Sequence, residues 1–466
     1  MWKTLVNFLP KVAEPKRTLT FQEKLTWTGL ILVSYFILME VPLWGISPDA
    51  VDFFESLRAV LAGRFDSIIA LGIGPIVMGS IVLQLLMGAG VLKFDTSSNE
   101  GRKTYQSAQK LMVLLFTLLE GSLLVFSGQI PPNPAMGSIV VPALLIQIFL
   151  GGFLIVLMDE VVSKWGFGSG VSLFIAAGVS QQIFVGSLNW IPAHAGEAIP
   201  GAIPYAISAI SQGTPFIDVL VRGTSAGDLL AMFSTVIVLV VSIYAASMKI
   251  EIPIAYGGFK GISRKYPLPF MYASNMPVIF TAALMANLQI WVGLLEKASI
   301  VSTYSAQTFL FYVLPHQDFA DKVILQFAKG GVLGASDIGA ALVYIILMII
   351  GSIVFSILWV EMSNMNAEKL AGKLSASGLQ IPGFRSDTRV MQRILERYIP
   401  SMTILGGAFV GLLASLATLT GAFGGGTGVL LTAGIVYKLY EDIAGSQLMD
   451  AHPLMKKLMG EGKIAF

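Results

Sequence analysis

Side chains that could carry out acid–base, nucleophilic or metal chemistry are few in this sequence and poorly placed for it. The chain has no cysteine, which excludes disulfides, thiolate nucleophiles and cysteine metal sites. Its three histidines, His194, His316 and His452, fall in predicted loops or in the tail. The glycine-rich run at 424–428 lacks the lysine of a phosphate-binding loop. We therefore expect no enzyme, no catalytic residue, no metal and no cofactor.

One acidic residue stands near the middle of an apolar segment. Glu120 is flanked by long apolar runs, whereas the acids at 40, 159, 160 and 296 lie near segment ends. Intramembrane acids often mark the pathway of an ion-coupled transporter, where they are usually paired or clustered. A single acid facing a neighbouring helix or a water cavity explains Glu120 equally well, so both interpretations stay open.

Two amides interrupt apolar helical sequence. Gln84 follows Ile73 by eleven residues and Val77 by seven, which places all three on one stripe of a helix. Asn287 lies in the middle of another apolar segment. Hydrogen bonding to neighbouring helices is a common role for such amides, so spacing alone does not assign them a function. Val171 and Ile175, four residues apart, likewise share one helix face.

Basic residues gather in two long polar loops. The loop at 251–274 contains Lys260, Arg264 and Lys265, and the loop at 361–398 contains Arg385 with further arginines. Membrane topology by itself favours basic residues in cytoplasmic loops. If these loops project, their charges also suit phosphate groups of an RNA-rich partner.

The elements that must position these residues are membrane helices. Hydrophobic residues make up 55% of the 466 residues and charged residues only 12%, roughly half the charged fraction of a soluble domain. A membrane-spanning helix needs about 20 apolar residues. The sequence predicts ten such spans, at 25–44, 70–92, 109–128, 138–158, 168–190, 228–250, 275–296, 338–360, 399–421 and 427–441.

The distribution of lysine and arginine predicts the orientation of these spans. With ten spans, both termini share a side, and the loops and termini on that side hold 24 of the 30 basic residues. The positive-inside rule therefore predicts a multi-pass membrane protein with both termini cytoplasmic.

Two features exceed what crossing a membrane requires. Ser47, Pro48 and Asp49 form a helix start, and the pattern that follows predicts a helix at 48–62 that is too short to span. The breakers Gly72–Pro75 then open the second span within apolar sequence. Broken backbone at membrane depth needs a covering of protein or a water-filled cavity. A short re-entrant helix is the favoured interpretation, and a helix on the outer leaflet is the alternative.

Counting the spans divides the chain into an N-terminal half, 1–227, and a C-terminal half, 228–466. Each half holds five spans, so the second half enters the membrane with inverted topology. The predicted fold is an all-α polytopic membrane protein of ten helices in two inverted halves.

Several blocks of sequence resemble one family along nearly the entire chain. They are 21–29 (FQEKLTWTG), 71–77 (LGIGPIV), 168–181 (GSGVSLFIAAGVSQ), 265–267 (KYP), 274–279 (SNMPVI) and 424–431 (GGGTGVLL). These blocks, in this order, resemble the SecY / Sec translocon α-subunit family and its archaeal branch in particular.

The resemblance implies a central pore between the halves, which can also open sideways to lipid, and it implies roles for individual residues. The implied apolar pore constriction consists of Ile73, Val77, Val171, Ile175, Ile279 and Leu431. The helix at 48–62 corresponds by position to a plug seated on that ring. Gln84 and Asn287 fall on spans that line the lateral gate, and Lys260, Arg264, Lys265 and Arg385 on the ribosome-docking surface.

The resemblance also implies partners: a single-span SecE/γ subunit, a Sec β subunit, the ribosome with its rRNA phosphates, and nascent secretory and membrane polypeptides in the lipid bilayer. The expected function is passage of secretory polypeptides across the membrane and sideways release of transmembrane segments into lipid. An apolar ring suits this function because it resists ion entry by dewetting and parts around a chain. An ion-coupled secondary transporter or small-solute channel is the main alternative, and a membrane-embedded enzyme is a more distant one.

Overall fold

The computed structural model describes most of the 466 residues. The described residues are 10–17, 19–48, 62–88, 90–92, 94, 99–192, 199–222, 227–256, 263–273, 275–330, 333–376, 379–380 and 388–451. The predicted plug helix at 48–62 falls almost entirely outside them, as do Lys260 and Arg385.

Helices dominate the described residues, and each of the ten predicted spans corresponds to a helix. The helices are α1 (Phe21–Met39), α2 (Gly74–Gly88), α3 (Asn99–Ser127), α4 (Val140–Trp165), α5 (Gly170–Leu188), α6 (Ala202–Ser211), α7 (Phe216–Leu220), α8 (Leu229–Ser247), α9 (Met276–Lys297), α10 (Thr303–Val313), α11 (Phe319–Lys329), α12 (Ala335–Met362), α13 (Ala367–Ala376), α14 (Thr388–Leu419) and α15 (Gly426–Ala451).

Seven of the described helices are long and apolar enough to cross a membrane: α3, α4, α5, α8, α9, α12 and α14. The other three predicted spans are α1, α2 and α15. The helix α2 is apolar but has only 15 residues, or about 22 Å at 1.5 Å per residue. It begins at Gly74, so the break predicted at Gly72–Pro75 is confirmed.

A small sheet, which the sequence analysis did not predict, joins the two long polar loops. Strand β1 (Lys249–Tyr256) pairs antiparallel with β2 (Ser263–Pro269) and with the two-residue β3 (Leu379–Gln380), in the order β2-β1-β3. A buried apolar cluster connects this sheet with α12, α13 and α14; it contains Ile252, Leu268, Tyr272, Ala273, Val360, Ala367, Ala371, Leu374, Met391, Leu395, Ile399 and Met402.

The chain forms two compact units. One consists of residues 1–80, 94–181 and 431–466, and the other of residues 81–93 and 182–430. These units are defined by contacts within the chain, whereas the halves 1–227 and 228–466 were predicted from the number of spans. The division into inverted halves therefore stays a prediction.

Candidate functional site

A non-helical segment at 62–73 lies inside the first compact unit at the depth of its helices. A Cβ atom built on Gly151 would lie only 1.8 Å from the carbonyl oxygen of Ile68, so the backbones of α4 and the segment touch there. Gly151 is eleven residues into the 26-residue helix α4, or about 16 Å from its start. The segment therefore passes the middle of a spanning helix.

Protein covers this broken backbone, as the lipid environment requires. On α3, a Cβ atom on Gly121 would lie 3.7 Å from Leu71 Cδ1. Gly72 has a φ angle of +53° and its N–H donates to the Ile69 carbonyl at 2.9 Å, which folds the segment into turns. The turns end where α2 starts, so the segment is a re-entrant approach to a short helix.

An aromatic side chain fixes the start of this segment at Ala62, where the predicted plug helix ends. Tyr35, on α1, is fully buried and its hydroxyl donates to the carbonyl oxygen of Ala62. The Tyr35 ring stacks on Phe174 of α5 with centroids 4.8 Å apart. A span thus holds Ala62, the last residue of the predicted plug helix, through Tyr35.

The six residues of the implied constriction are mostly buried. Ile73, Ile175 and Leu431 are 0% exposed; Val77 and Ile279 are also buried, and Val171 is half-buried. Ile279 belongs to the second compact unit and the other five to the first. Burial suits both a closed apolar ring and an ordinary core, so the ring stays a prediction.

Val171 is positioned by a carboxylate from another helix. Asp159, near the end of α4, accepts a hydrogen bond from the Val171 N–H at 3.0 Å. An acceptor at this place satisfies one of the free N–H groups of the first turn of α5 and complements the helix dipole. A Cβ on Gly170 would lie 2.5 Å from the Asp159 Cα, so the two helices approach closely here.

The two amides of the implied lateral gate lie in the second compact unit. Asn287 is buried and its Nδ2 donates to the Ala283 carbonyl at 3.0 Å, one turn earlier in α9. The Oε1 atom of Gln84 is buried and has no hydrogen-bond partner among the described residues. A buried acceptor without a partner costs about 1–3 kcal/mol, so the Gln84 side chain gains from any donor that reaches it.

Glu120 is buried in α3, and among the described residues its Oε1 atom has no hydrogen-bond partner. No group of three or more His, Cys, Asp or Glu side chains that could hold a metal ion occurs in the part of the chain that the structure describes.

The three-stranded sheet pairs strands from the two polar loops. Arg264, on β2, pairs with Ile254, next to the β1 residue Ala255 that pairs with Gln380 of β3. Neighbouring strands lie about 4.8 Å apart, so Arg264 is two strands, or about 10 Å, from β3. Arg385 follows Gln380 by five residues in the sequence, and Lys260 precedes β2 by three.

The base of the sheet is rigidly attached. The Phe270 N–H donates to the Met248 carbonyl at 2.8 Å, and the Tyr272 hydroxyl donates to the Met365 carbonyl at 2.6 Å, joining the two loops. Burial raises the pKa of Tyr272, so its hydroxyl remains a donor at physiological pH. Lys265 is exposed and forms an ion pair with Glu251 across β1 and β2.

Comparison with known proteins assigns this arrangement to a family. The protein-family model described as SecY matches residues 67–440, and the one described as the plug domain of Sec61p matches residues 33–65. The chain belongs to the SecY family. The resemblance seen in the sequence is therefore confirmed.

Relatives in the SecY family match along the whole chain. Protein translocase subunit SecY of Methanothermobacter thermautotrophicus is 46% identical, with 99% of this chain and 98% of the relative covered. The corresponding subunit of Pyrococcus horikoshii is 40% identical, with 97% of each chain covered.

Solved structures of the SecY family agree with the fold. A structure of a protein conducting channel superimposes with a TM-score of 0.80 at 36% identity, over 96% of this chain and 98% of that one. Sec61 in the canine ribosome–channel complex from the endoplasmic reticulum superimposes with a TM-score of 0.78 at 36% identity, with the same coverage. The fold prediction of a polytopic helical membrane protein of this architecture is confirmed.

Two positioning residues in this SecY-family chain escaped the sequence analysis. Tyr35 lies within the plug-domain match, but its partner is a backbone carbonyl, which leaves no pattern in a sequence. Asp159 was noted only as an acid near a segment end. Its place about two helical turns before the tight turn at 166–169 was the available signal, since an acid there can reach the next helix start.

Proposed function

We propose that this chain is the central pore-forming subunit of a protein translocation channel in the plasma membrane. It passes secretory polypeptides across the membrane and releases transmembrane segments sideways into lipid. The observation that carries the proposal is the turn segment at 62–73, covered by α3 and α4 at the middle of the membrane. A packed bundle of spanning helices does not require non-helical backbone at that depth. A channel closed by a movable segment does require it, because the chain must lead into and out of that segment within the membrane.

The constriction provides the seal in this proposal. Ile73, Val77, Val171, Ile175, Ile279 and Leu431 form an apolar ring that dewets when no polypeptide is present. Three of these side chains are fully buried, as a closed ring requires. Asp159 and Tyr35 are positioning residues: Asp159 fixes the start of α5 at Val171, and Tyr35 fixes the backbone at the end of the plug. Gln84 and Asn287 belong to the lateral gate.

The sheet is the docking site for the ribosome. Lys260, Arg264, Lys265 and Arg385 contact rRNA phosphates from the cytoplasmic side, where both termini also lie. The register of β1 with β2 and β3 supports this assignment because it joins strands from the two basic loops in one sheet, with Arg264 and Gln380 paired to neighbouring residues of β1. The family likeness supports a complex with a single-span SecE/γ subunit and a β subunit. Energy for transport comes from a partner such as the translating ribosome.

Photo-crosslinking to a ribosome-stalled secretory chain tests the function. A photoreactive residue in place of Ile73 or Ile279 should crosslink to the stalled chain. The control position is Ile146, which is exposed on α4 and faces lipid. Equal crosslinking from Ile73 and Ile146, or none from Ile73 and Ile279, would contradict a pore at this ring. Ion-gradient-driven solute uptake by the purified protein would instead favour a secondary transporter.

A further inference from the structure

The loop between α5 and α8 contains a small folded unit of its own. The helices α6 and α7 pack around a core of Ala206, Ala209 and Val219, with Tyr205 and Leu229 at its edge. The guanidinium of Arg222 lies 3.7 Å from the centroid of the Tyr205 ring. These contacts fold the two short helices into one hairpin.

Both ends of this hairpin are fixed at the ends of spanning helices. The N–H of Gly201 donates to the carbonyl of Asn189 at 2.9 Å, and Asn189 directly follows the last residue of α5. At the other end, Leu229 is the first residue of α8 and packs against the hairpin core. Since α5 and α8 both cross the membrane, α6 lies at the level where spans meet the membrane surface.

One face of α6, about 100° around the helix from its buried side, is apolar and exposed. Buried Ala202, Ala206 and Ala209 form one side, whereas Ile203, Ile207 and Ile210 recur at the i, i+4, i+7 spacing of a single helical stripe. Ile207 is 57% exposed and Ile210 64%. The segment 199–222 has only two charged residues, Asp218 and Arg222, and neither is in α6.

This apolar face belongs to a larger set of exposed apolar residues in α5, α7 and the residues that directly follow α5. Trp190 and Ile191, directly after α5, are exposed, as is Phe216 at the start of α7. The last two turns of α5 present Phe184, Val185 and Leu188, which are also exposed and belong to a membrane-spanning helix. Isolated exposed apolar residues are normal, but a contiguous set of this kind marks a contact with a partner or a membrane.

We propose that α6 lies flat in the interface of the lipid bilayer on the side away from the three-stranded sheet. Ile203, Ile207, Ile210 and Phe216 enter the boundary between headgroups and acyl chains, and Trp190 anchors the turn at headgroup level. Interfacial helices bind through buried apolar area, and tryptophan is enriched at that level of the bilayer. The occupant of this surface is lipid, because the surface is continuous with the lipid-facing side of α5.

Site-directed spin labelling of the full chain in phospholipid nanodiscs tests this contact. The wild-type chain has no cysteine, so Ile207→Cys and Ile210→Cys each carry a single label. Labels in the interface collide more often with oxygen, which concentrates in lipid, than with a water-soluble nickel complex. The control is Gln212→Cys, the exposed residue that directly follows α6 and lies about 160° around its axis from Ile210, where we expect the reverse.

Each other outcome overturns the proposal. Greater collision with the nickel complex at Ile207 and Ile210 would place the stripe in water. Low collision with both reagents would place it under a protein partner.

A second measurement leaves α6 unaltered: lipids brominated near the headgroup end of the acyl chains should quench the fluorescence of Trp190. The quenched fraction should fall in Trp190→Phe, and an unchanged fraction would contradict interfacial anchoring. A chain that spans the membrane without translocating polypeptides would show the same contact, so these results are independent of the proposed function.

Discussion

The hydroxyl group of Tyr35 donates a hydrogen bond of 2.9 Å to the backbone carbonyl of Ala62, and both residues are buried. Ala62 has a φ angle of +48°, a conformation that costs a non-glycine residue free energy. This bond joins the first span to the end of the predicted plug. If the plug closes the channel, Tyr35 stabilises the closed state.

Replacing Tyr35 with phenylalanine should make the closed channel leak. The substitution keeps the ring that stacks on Phe174 but leaves the Ala62 carbonyl buried without its donor, which costs about 1–3 kcal/mol. A shift of that size changes the ratio of closed to open states by roughly one to two orders of magnitude. Single-channel recording in planar bilayers measures it. The matched control is Tyr244→Phe, at an exposed position on α8. Equal leakage in both variants would show that the Tyr35 hydroxyl does not stabilise the closed state.

Replacing Gly151 with alanine should destabilise the fold. The new methyl group would lie 1.8 Å from the Ile68 carbonyl oxygen, so the turn segment must shift, at a cost of about 1–3 kcal/mol. That cost exceeds the gain of about 1 kcal/mol from replacing glycine in a helix. Thermal unfolding in detergent should therefore show a lower Tm. Gly29→Ala, where the new atom meets nothing within 4 Å, should keep or raise the Tm. A Tm for Gly151→Ala equal to that of Gly29→Ala would refute the close approach.

Membrane orientation can be measured with single cysteines. We expect Lys369→Cys, on α13, to react only with reagents that enter the cytoplasm, because its loop belongs to the basic side. Gln307→Cys, on α10, should react from outside intact cells. Both positions are exposed. Labelling of Lys369→Cys from outside would reverse the predicted orientation and place the sheet away from the ribosome.

Charge reversal at the end of the sheet should weaken ribosome binding. Arg264→Glu and Arg385→Glu each remove a phosphate contact, so affinity should fall and the slope of log affinity against log salt should decrease by about 1. Lys249→Glu makes the same charge change at the base of β1, where Lys249 pairs with Pro269, about 17 Å from the register of Arg264. Affinity should change little there. Equal loss in all three variants would indicate a general charge effect and contradict docking by the end of the sheet.

Hydropathy located the membrane helices because lipid imposes a strong requirement for apolar length. Hydropathy could not predict how far a helix continues beyond the membrane into the aqueous phase. Helix α14 begins at Thr388, eleven residues before the predicted span, and α3 begins at Asn99, ten residues before its span. These extensions carry charged residues, such as Arg393, and lie beyond any apolar signal.

The sheet had a signal that the sequence analysis did not use. Ile250, Ile252 and Ile254 alternate with other residues, the period-two pattern of a strand with one buried face. The positions of Tyr35 and Asp159 had weaker signals, since their partners are backbone groups from distant parts of the chain. The plug helix and the tips that carry Lys260 and Arg385 lie outside the described residues, so their roles rest on family position.

The conductance of the double variant Ile73→Asn/Ile279→Asn tests the pore most directly. If these two side chains belong to one apolar ring, the asparagine amides let water enter the passage and weaken the contact between the ring and the plug. The closed state then loses stability, so resting ion conductance in planar bilayers should rise above that of the matched variant Ile73→Leu/Ile279→Leu. Chains with weak signal sequences should also pass more readily, because less binding energy is needed to open the gate. If both variants insert normally and neither leaks, Ile73 and Ile279 are ordinary core residues and the pore assignment is wrong.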